Sequence, residues 1–202
     1  MVTATTPLSI YPDHYDFPPF FTRYPNETTW TAQRTIWASF ILDYCRHHRL
    51  WRLHVSDALE TDLFWNKKLS RTPLPSLLPS PSLSPADKPA NAGETGRLSP
   101  KDAAAILEWM AGEGMIAWDG AAAVVYWRSA EEWAEAIYQW IDATGQKGSV
   151  LTLYEISEGD LTVSQEFHGI DPLILRKALD VLVKRGSAQV FGSEDERGVK
   201  FF

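Results

Sequence analysis

Large apolar residues recur along this chain at helical spacing in two places. Trp37, Phe40, Ile41 and Tyr44 fall at i, i+3, i+4 and i+7, and Trp133, Ile137, Trp140 and Ile141 mark a second stripe. Each stripe predicts an amphipathic helix with a single buried face. Thr28 or Thr29 is placed to cap the first helix and Ser129 the second, where Glu131 and Glu132 also meet the positive end of the helix dipole.

Downstream of each stripe the same smaller pattern appears at an offset of 72 residues. Ile106-Leu107-Glu108-Trp109-Met110 and Gly114-Met115-Ile116-Ala117-Trp118 lie over Ala178-Leu179-Asp180-Val181-Leu182 and Gly186-Ser187-Ala188-Gln189-Val190. In both copies an amphipathic helix ends near a glycine and runs into two short strands, the second predicted at 124–127 and 199–202. Ser99-Pro100-Lys101-Asp102 and Asp171-Pro172 announce the starts of these helices, a capping residue followed by proline at N1.

Shorter helical pieces are predicted around 56–64 and 153–158. Helix, short helix, helix, hairpin is the order of a winged helix. The fold class that follows is mainly α with small β-hairpins (α+β), in two tandem winged-helix domains: 26–128 and 129–202, preceded by an N-terminal segment, 1–25. Residues 72–97 interrupt the first domain with six prolines among serines, alanines and glycines, a composition that predicts a disordered insertion.

The N-terminal segment carries Phe17-Pro18-Pro19-Phe20-Phe21. Its two prolines remove two backbone donors and favour polyproline II geometry, so the rings are expected to seat on another chain. The alternative is that the strip packs across its own first domain.

Composition narrows the function. A chain of 202 residues with 45% apolar content is globular, and its net charge of -7 is uneven, with 7 basic and 13 acidic groups over 129–202. Such a surface repels a polyanion. One cysteine, the absence of a signal-like start in MVTATTPLSI and the lack of a run of about 20 apolar residues point to the cytosol or nucleus.

Chemistry-bearing clusters are missing: no activated nucleophile, no phosphate-binding glycine loop and no metal-ligand spacing. Cys45, His47 and His48 crowd one helical end, but neighbouring histidines project about 100° apart on a helix, so a buried thiol beside exposed imidazoles is expected. No catalytic, cofactor-binding or metal residue is predicted, and the chain is read as no enzyme. The alternative function is a DNA-binding tandem winged-helix transcription regulator. Against it, the third helix of the first domain has Lys101 as its only basic residue, and the second, with Arg176, Lys177, Lys184 and Arg185, sits in the acidic half.

Distributed motifs add a resemblance. Tyr15-Asp16-Phe17-Pro18-Pro19-Phe20-Phe21-Thr22, Pro25-Asn26, Trp127-Arg128, Glu131-Glu132-Trp133, Ile137-Tyr138-Gln139-Trp140, Phe167-His168-Gly169-Ile170-Asp171 and Gly198-Val199-Lys200-Phe201-Phe202 resemble the small subunits of the endosomal sorting complex ESCRT-II. The likeness runs from about residue 11 to the last residue, interrupted by the proline-rich insertion.

The resemblance implies a tandem winged-helix assembly subunit, present twice per complex, in the multivesicular-body pathway that sorts ubiquitinated cargo. It implies cytoplasmic residence with recruitment to endosomal membranes and membrane contact only through the complex; the acidic charge separately predicts no nucleic-acid partner. Through a Pro-Pro-x-aromatic motif the N-terminal unit would dock on the two larger ESCRT-II subunits. Here Phe17, Pro18, Pro19, Phe20 and Phe21 supply that motif, with Phe21 where some relatives have tyrosine, and only Tyr11-Pro12 stands where a second motif occurs in some members.

The C-terminal unit would recruit an ESCRT-III subunit. If residues 149–153 are extended, Leu151 and Leu153 point into the core and Val150 and Thr152 point outward, where they are expected to seat that subunit. The alternative is that Val150 is covered by its own wing near Val199 or Phe201.

Overall fold

Asn26 opens the first long helix, two to three residues ahead of the predicted threonines. An asparagine side chain reaches the free donors of a first turn as well as a threonine does, and here Asn26 Oδ1 accepts from the Thr29 amide at 3.1 Å. The helix, α1, spans Glu27–His47 and buries Trp30, Gln33, Trp37, Phe40, Ile41, Tyr44 and Cys45, the predicted stripe extended by two turns toward its N-terminus. The computed structural model describes residues 10–70, 96–192 and 198–202. The chain divides into two compact units, Met1–Trp127 and Arg128–Phe202.

In the first unit α1 is followed by β1 (Arg52–His54), two single-turn helices, α2 (Val55–Ala58) and α3 (Lys67–Ser70), then α4 (Pro100–Gly112), β2 (Ile116–Asp119) and β3 (Ala122–Val125). Ser99 caps α4 through the Asp102 amide with Pro100 at N1, as predicted. The strands form a three-stranded antiparallel sheet in the order β1-β3-β2. Asp119 faces Ala122 across a two-residue turn in which Gly120 takes φ +61°, so β3 begins two residues earlier than predicted. Its predicted end, Trp127, leaves the ladder to stack on Trp51, ring centroids 4.1 Å apart. Strand β1 was not predicted, because three residues carry too little periodicity and their partners lie some 70 positions later.

The second unit repeats the order: α5 (Ala130–Ala143), β4 (Val150–Thr152), α6 (Leu153–Ser157), α7 (Pro172–Lys184), β5 (Ala188–Phe191) and β6 (Gly198–Phe201), with sheet order β4-β6-β5. Ser129 and Glu132 close a full capping box on α5, and Asp171 caps α7 through the Leu173 amide at 2.8 Å. Trp133, Ile137 and Ile141 are fully buried with Phe167, Val199 and Phe201. Both units are winged helices.

The proline-rich insertion predicted at 72–97 falls mostly at 71–95, outside the described residues. Its last two positions belong to the folded unit. Arg97 forms an antiparallel bridge with Trp65, stacks its guanidinium over that ring at 5.0 Å and ion-pairs with Glu60. Gly96 lies against Leu69 and its carbonyl accepts from the Asn66 amide at 2.8 Å, so the flanks of the insertion meet. Deleting 74–95 is therefore expected to change stability by no more than about 2 kcal/mol, since each halving of loop length changes the closure entropy term by only about 0.6 kcal/mol. Thermal melts of the two proteins check this, and a larger loss would mean that the deleted residues carry packing.

Candidate partner-docking surfaces

The proline-aromatic strip forms a 3-10 turn, Pro18–Phe21, in place of the expected polyproline II segment. Proline restricts φ to a value that both conformations share and leaves ψ free, and its missing N–H costs nothing in the first turn of a helix. The turn closes with the Phe20 amide donating to Phe17 O at 2.9 Å and the Thr22 amide to Pro19 O at 3.1 Å. This curl turns Phe20 and Phe21 inward.

Their seats correct the expectation that these rings await another chain. Phe20 stacks on Trp37, centroids 4.3 Å apart and planes 8° apart, while Phe21 meets Trp37 edge-on at 5.5 Å and Tyr15 at 5.6 Å. Phe20 is 3% exposed and Phe21 1%, because α1 already presents an aromatic stripe that the strip completes. Phe17 faces solvent at 50% exposure, and Pro18 and Pro19 are half-buried. Upstream, Tyr11 packs on Tyr15 and Phe40, and with Pro12, Asp16, Asp62 and Lys67 it borders a cleft of about 500 Å³. Tyr15 donates its hydroxyl to Asp62 O; burial first, then the neighbouring Tyr11 and Asp62, raises its pKa well above the usual phenol range.

Two polar side chains that the sequence reading passed over hold this strip. Gln33 Nε2 donates to Phe20 O at 2.7 Å and to Thr22 O at 3.0 Å. Asn66 Nδ2 donates to Tyr15 O and to Asp16 Oδ1, each at 2.9 Å. Gln33 sits three residues after Trp30 and four before Trp37, a polar residue on an apolar stripe, and that anomaly was the available signal. Asn66 carries none, since its partners lie 50 and 51 positions away.

On the second unit, pairing of Val150 with Lys200, Leu151 with Val199 and Thr152 with Gly198 puts Val150 and Thr152 on the sheet face opposite the buried Val199. Val150 is 59% exposed, so the wing does not cover it. Thr152 has a structural duty that the alternation did not reveal. It caps α6, accepting from the Glu155 amide at 3.1 Å, while the Glu155 carboxylate accepts from the Thr152 amide at 2.7 Å and its hydroxyl at 2.8 Å. Those bonds, the backbone one foremost, hold the Glu155 carboxyl below its usual range. Leu153 opens α6 half-buried instead of continuing the strand.

Cys45 is fully buried, and burial pushes its thiol pKa up to about 12; His47 and His48 are exposed. Among the described residues no group of three or more His, Cys, Asp or Glu side chains is placed to hold a metal ion. No helix among them is long and apolar enough to cross a membrane.

A family profile described as "ESCRT-II complex subunit" matches residues 14–77 and 90–171. Vacuolar protein-sorting-associated protein 25 of Danio rerio is 35% identical over 195 residues, covering 95% of this chain and 98% of that protein. Among solved structures, the fold is similar to the VPS25 subunit of the endosomal trafficking complex ESCRT-II, with TM-score 0.71 and 25% identity over 96% of this chain and 100% of that one. It is also similar to a chain of the endosomal complex ESCRT-II (VPS22/VPS25/VPS36), with TM-score 0.70 and 26% identity over the same shares.

Proposed function

The chain belongs to the family of ESCRT-II complex subunits, and we propose that it serves there as the small, non-enzymatic assembly subunit in multivesicular-body sorting of ubiquitinated cargo. The observation that carries this reading is the match along nearly the whole length of both chains, 95% of this one and 98% of the relative from Danio rerio. A likeness of that extent takes in both winged helices and the strip. In this reading the subunit is cytoplasmic and reaches endosomal membranes through the complex.

The two larger ESCRT-II subunits dock on the strip. Phe17, Pro18 and Pro19 make the contact, while Phe20 and Phe21 support it from beneath. A half-exposed phenylalanine on a rigid turn offers apolar area with little ordering cost. Co-expression with the two larger subunits tests this: Phe17→Ser is expected to weaken their association at least tenfold, about 1.4 kcal/mol, with an unchanged thermal midpoint. Full affinity in a folded Phe17→Ser protein would remove the strip from the interface.

The second unit recruits an ESCRT-III subunit through the sheet face that carries Val150 and Thr152. Because Thr152 caps α6, changing it to lysine would mix a folding defect with a binding defect; Thr152→Ser keeps the cap. Val150→Asp is expected to lower affinity for the ESCRT-III subunit about tenfold or more and to leave attachment to the larger subunits intact, as read by titration of each partner separately. Equal affinity in the folded variant would move the site elsewhere on the unit.

Duplex DNA is a poor fit for these winged helices. On α4 Lys101 stands with Asp102 and Glu108. On α7 the neighbouring Arg185 reaches the Glu135 carboxylate at 3.6 Å, within a unit of net negative charge.

A further inference from the structure

Burying an amide side chain costs free energy unless its donors and acceptors are met, and a position that only needs filling takes an apolar residue more cheaply. Gln33 is 4% exposed and Asn66 2%. Ser99, the other polar side chain buried among the described residues of the first unit, explains itself as the cap of α4. Gln33 and Asn66 cap no helix of eight residues or more. Both reach out of their own elements to oxygens of one short segment, backbone carbonyls at Tyr15, Phe20 and Thr22 and the Asp16 carboxylate.

That segment needs them. Two prolines supply no N–H, so the strip joins no ladder, and the Tyr15, Phe20 and Thr22 carbonyls take side-chain donors instead. Asn66 holds it at Tyr15 and Asp16. Gln33 holds it at Phe20 and Thr22, joined at Phe20 O by Trp37 Nε1 at 3.3 Å. The Gln33 Oε1 also accepts from the Tyr24 amide at 3.3 Å, and Asn66 Oδ1 from the Lys68 amide at 3.0 Å, which fixes the orientation of both amides. Phe17, Pro18 and Pro19 are the residues left between the two fastenings.

We propose that Gln33 and Asn66 are positioning residues for docking, and that they hold the backbone on either side of Phe17, Pro18 and Pro19 so that these three meet the larger subunits already ordered. The inference rests on the reading of the strip as the docking site. Its consequence is that affinity depends on two side chains that no partner touches, because disorder in the strip would have to be removed on binding.

The test is a double-mutant cycle on the full chain, titrated with the subcomplex of the two larger subunits. Gln33→Met keeps the volume and removes the donors. It is expected to weaken docking about tenfold in the wild-type strip and at least threefold less than that in the Phe17→Ala background, while affinity for the ESCRT-III subunit stays the same. Should Gln33→Met not fold, Asn66→Asp, which keeps the shape and replaces the donor, is read in the same way. A folded variant with unchanged docking, or with losses strictly additive to Phe17→Ala, would reduce both residues to core structure and overturn the inference while the docking site stands. If Phe17→Ala itself docks at full affinity, the docking reading fails and the positioning role falls with it.

Discussion

Phe21→Ala is expected to destabilise the first unit by about 3–5 kcal/mol, the range for deleting a fully buried phenylalanine from a core. The ring is 1% exposed and meets Trp37, Tyr15 and Phe20 in edge-on contacts, so its loss leaves a cavity and removes three aromatic pairs together. Collapse is hindered because Gln33 holds the neighbouring carbonyls of Phe20 and Thr22. Urea unfolding followed by tryptophan fluorescence measures the effect, with Phe17→Ala as the exposed control, expected within about 0.5 kcal/mol of wild type. Loss of partner binding in Phe21→Ala would therefore report folding as well as contact. A Phe21→Ala protein as stable as wild type would mean that the strip does not rest on α1.

Gly96→Ala is expected to cost about 2–6 kcal/mol, the sum of a left-handed backbone forced on an alanine and an overpacked contact, each about 1–3 kcal/mol. Gly96 has φ +83°, and a Cβ there would stand 2.5 Å from Leu69 Cβ and 2.9 Å from the Asn66 carbonyl oxygen. One of these neighbours is backbone and cannot swing aside. Asn66 is also the residue whose amide holds Tyr15 and Asp16, so docking should weaken along with stability. Gly112→Ala supplies the opposite sign: a Cβ there meets nothing within 4 Å, and in a helix alanine is favoured over glycine by about 1 kcal/mol. Equal melting temperatures for the two variants would show that the chain does not return from its insertion against Leu69.

The aromatic strip shows where reading from sequence stops. Proline content set φ along the strip. It did not distinguish polyproline II from a 3-10 turn, because the two share φ and differ in ψ. That difference decides which rings face in. Whether a phenylalanine next to two prolines is an anchor for a partner or part of its own core depends on a surface 17 residues away, where Trp37 receives it.

Thr152 carries the same lesson in the second unit. Alternation along a strand correctly put Val150 outward, since residue parity is a local property. The strand ends at Thr152 because Glu155 closes a capping box on it. The pattern Thr-x-x-Glu was present in the sequence, and it competed with an extended reading of residues 149–153 that used the same residues.

From its sequence alone this protein was determined as two tandem winged helices, with their long helices, the caps at Ser99, Ser129 and Asp171, and an acidic second half, because periodicity, capping and charge are properties of neighbouring residues. Tertiary structure alone decided strand β1 and its place in the first sheet, the inward turn of Phe20 and Phe21, and the fastening of the strip by Gln33 and Asn66. Each of these depends on a partner that the chain brings near only by folding, and the amide of Asn66 finds the carbonyl of Tyr15 across 51 positions of sequence.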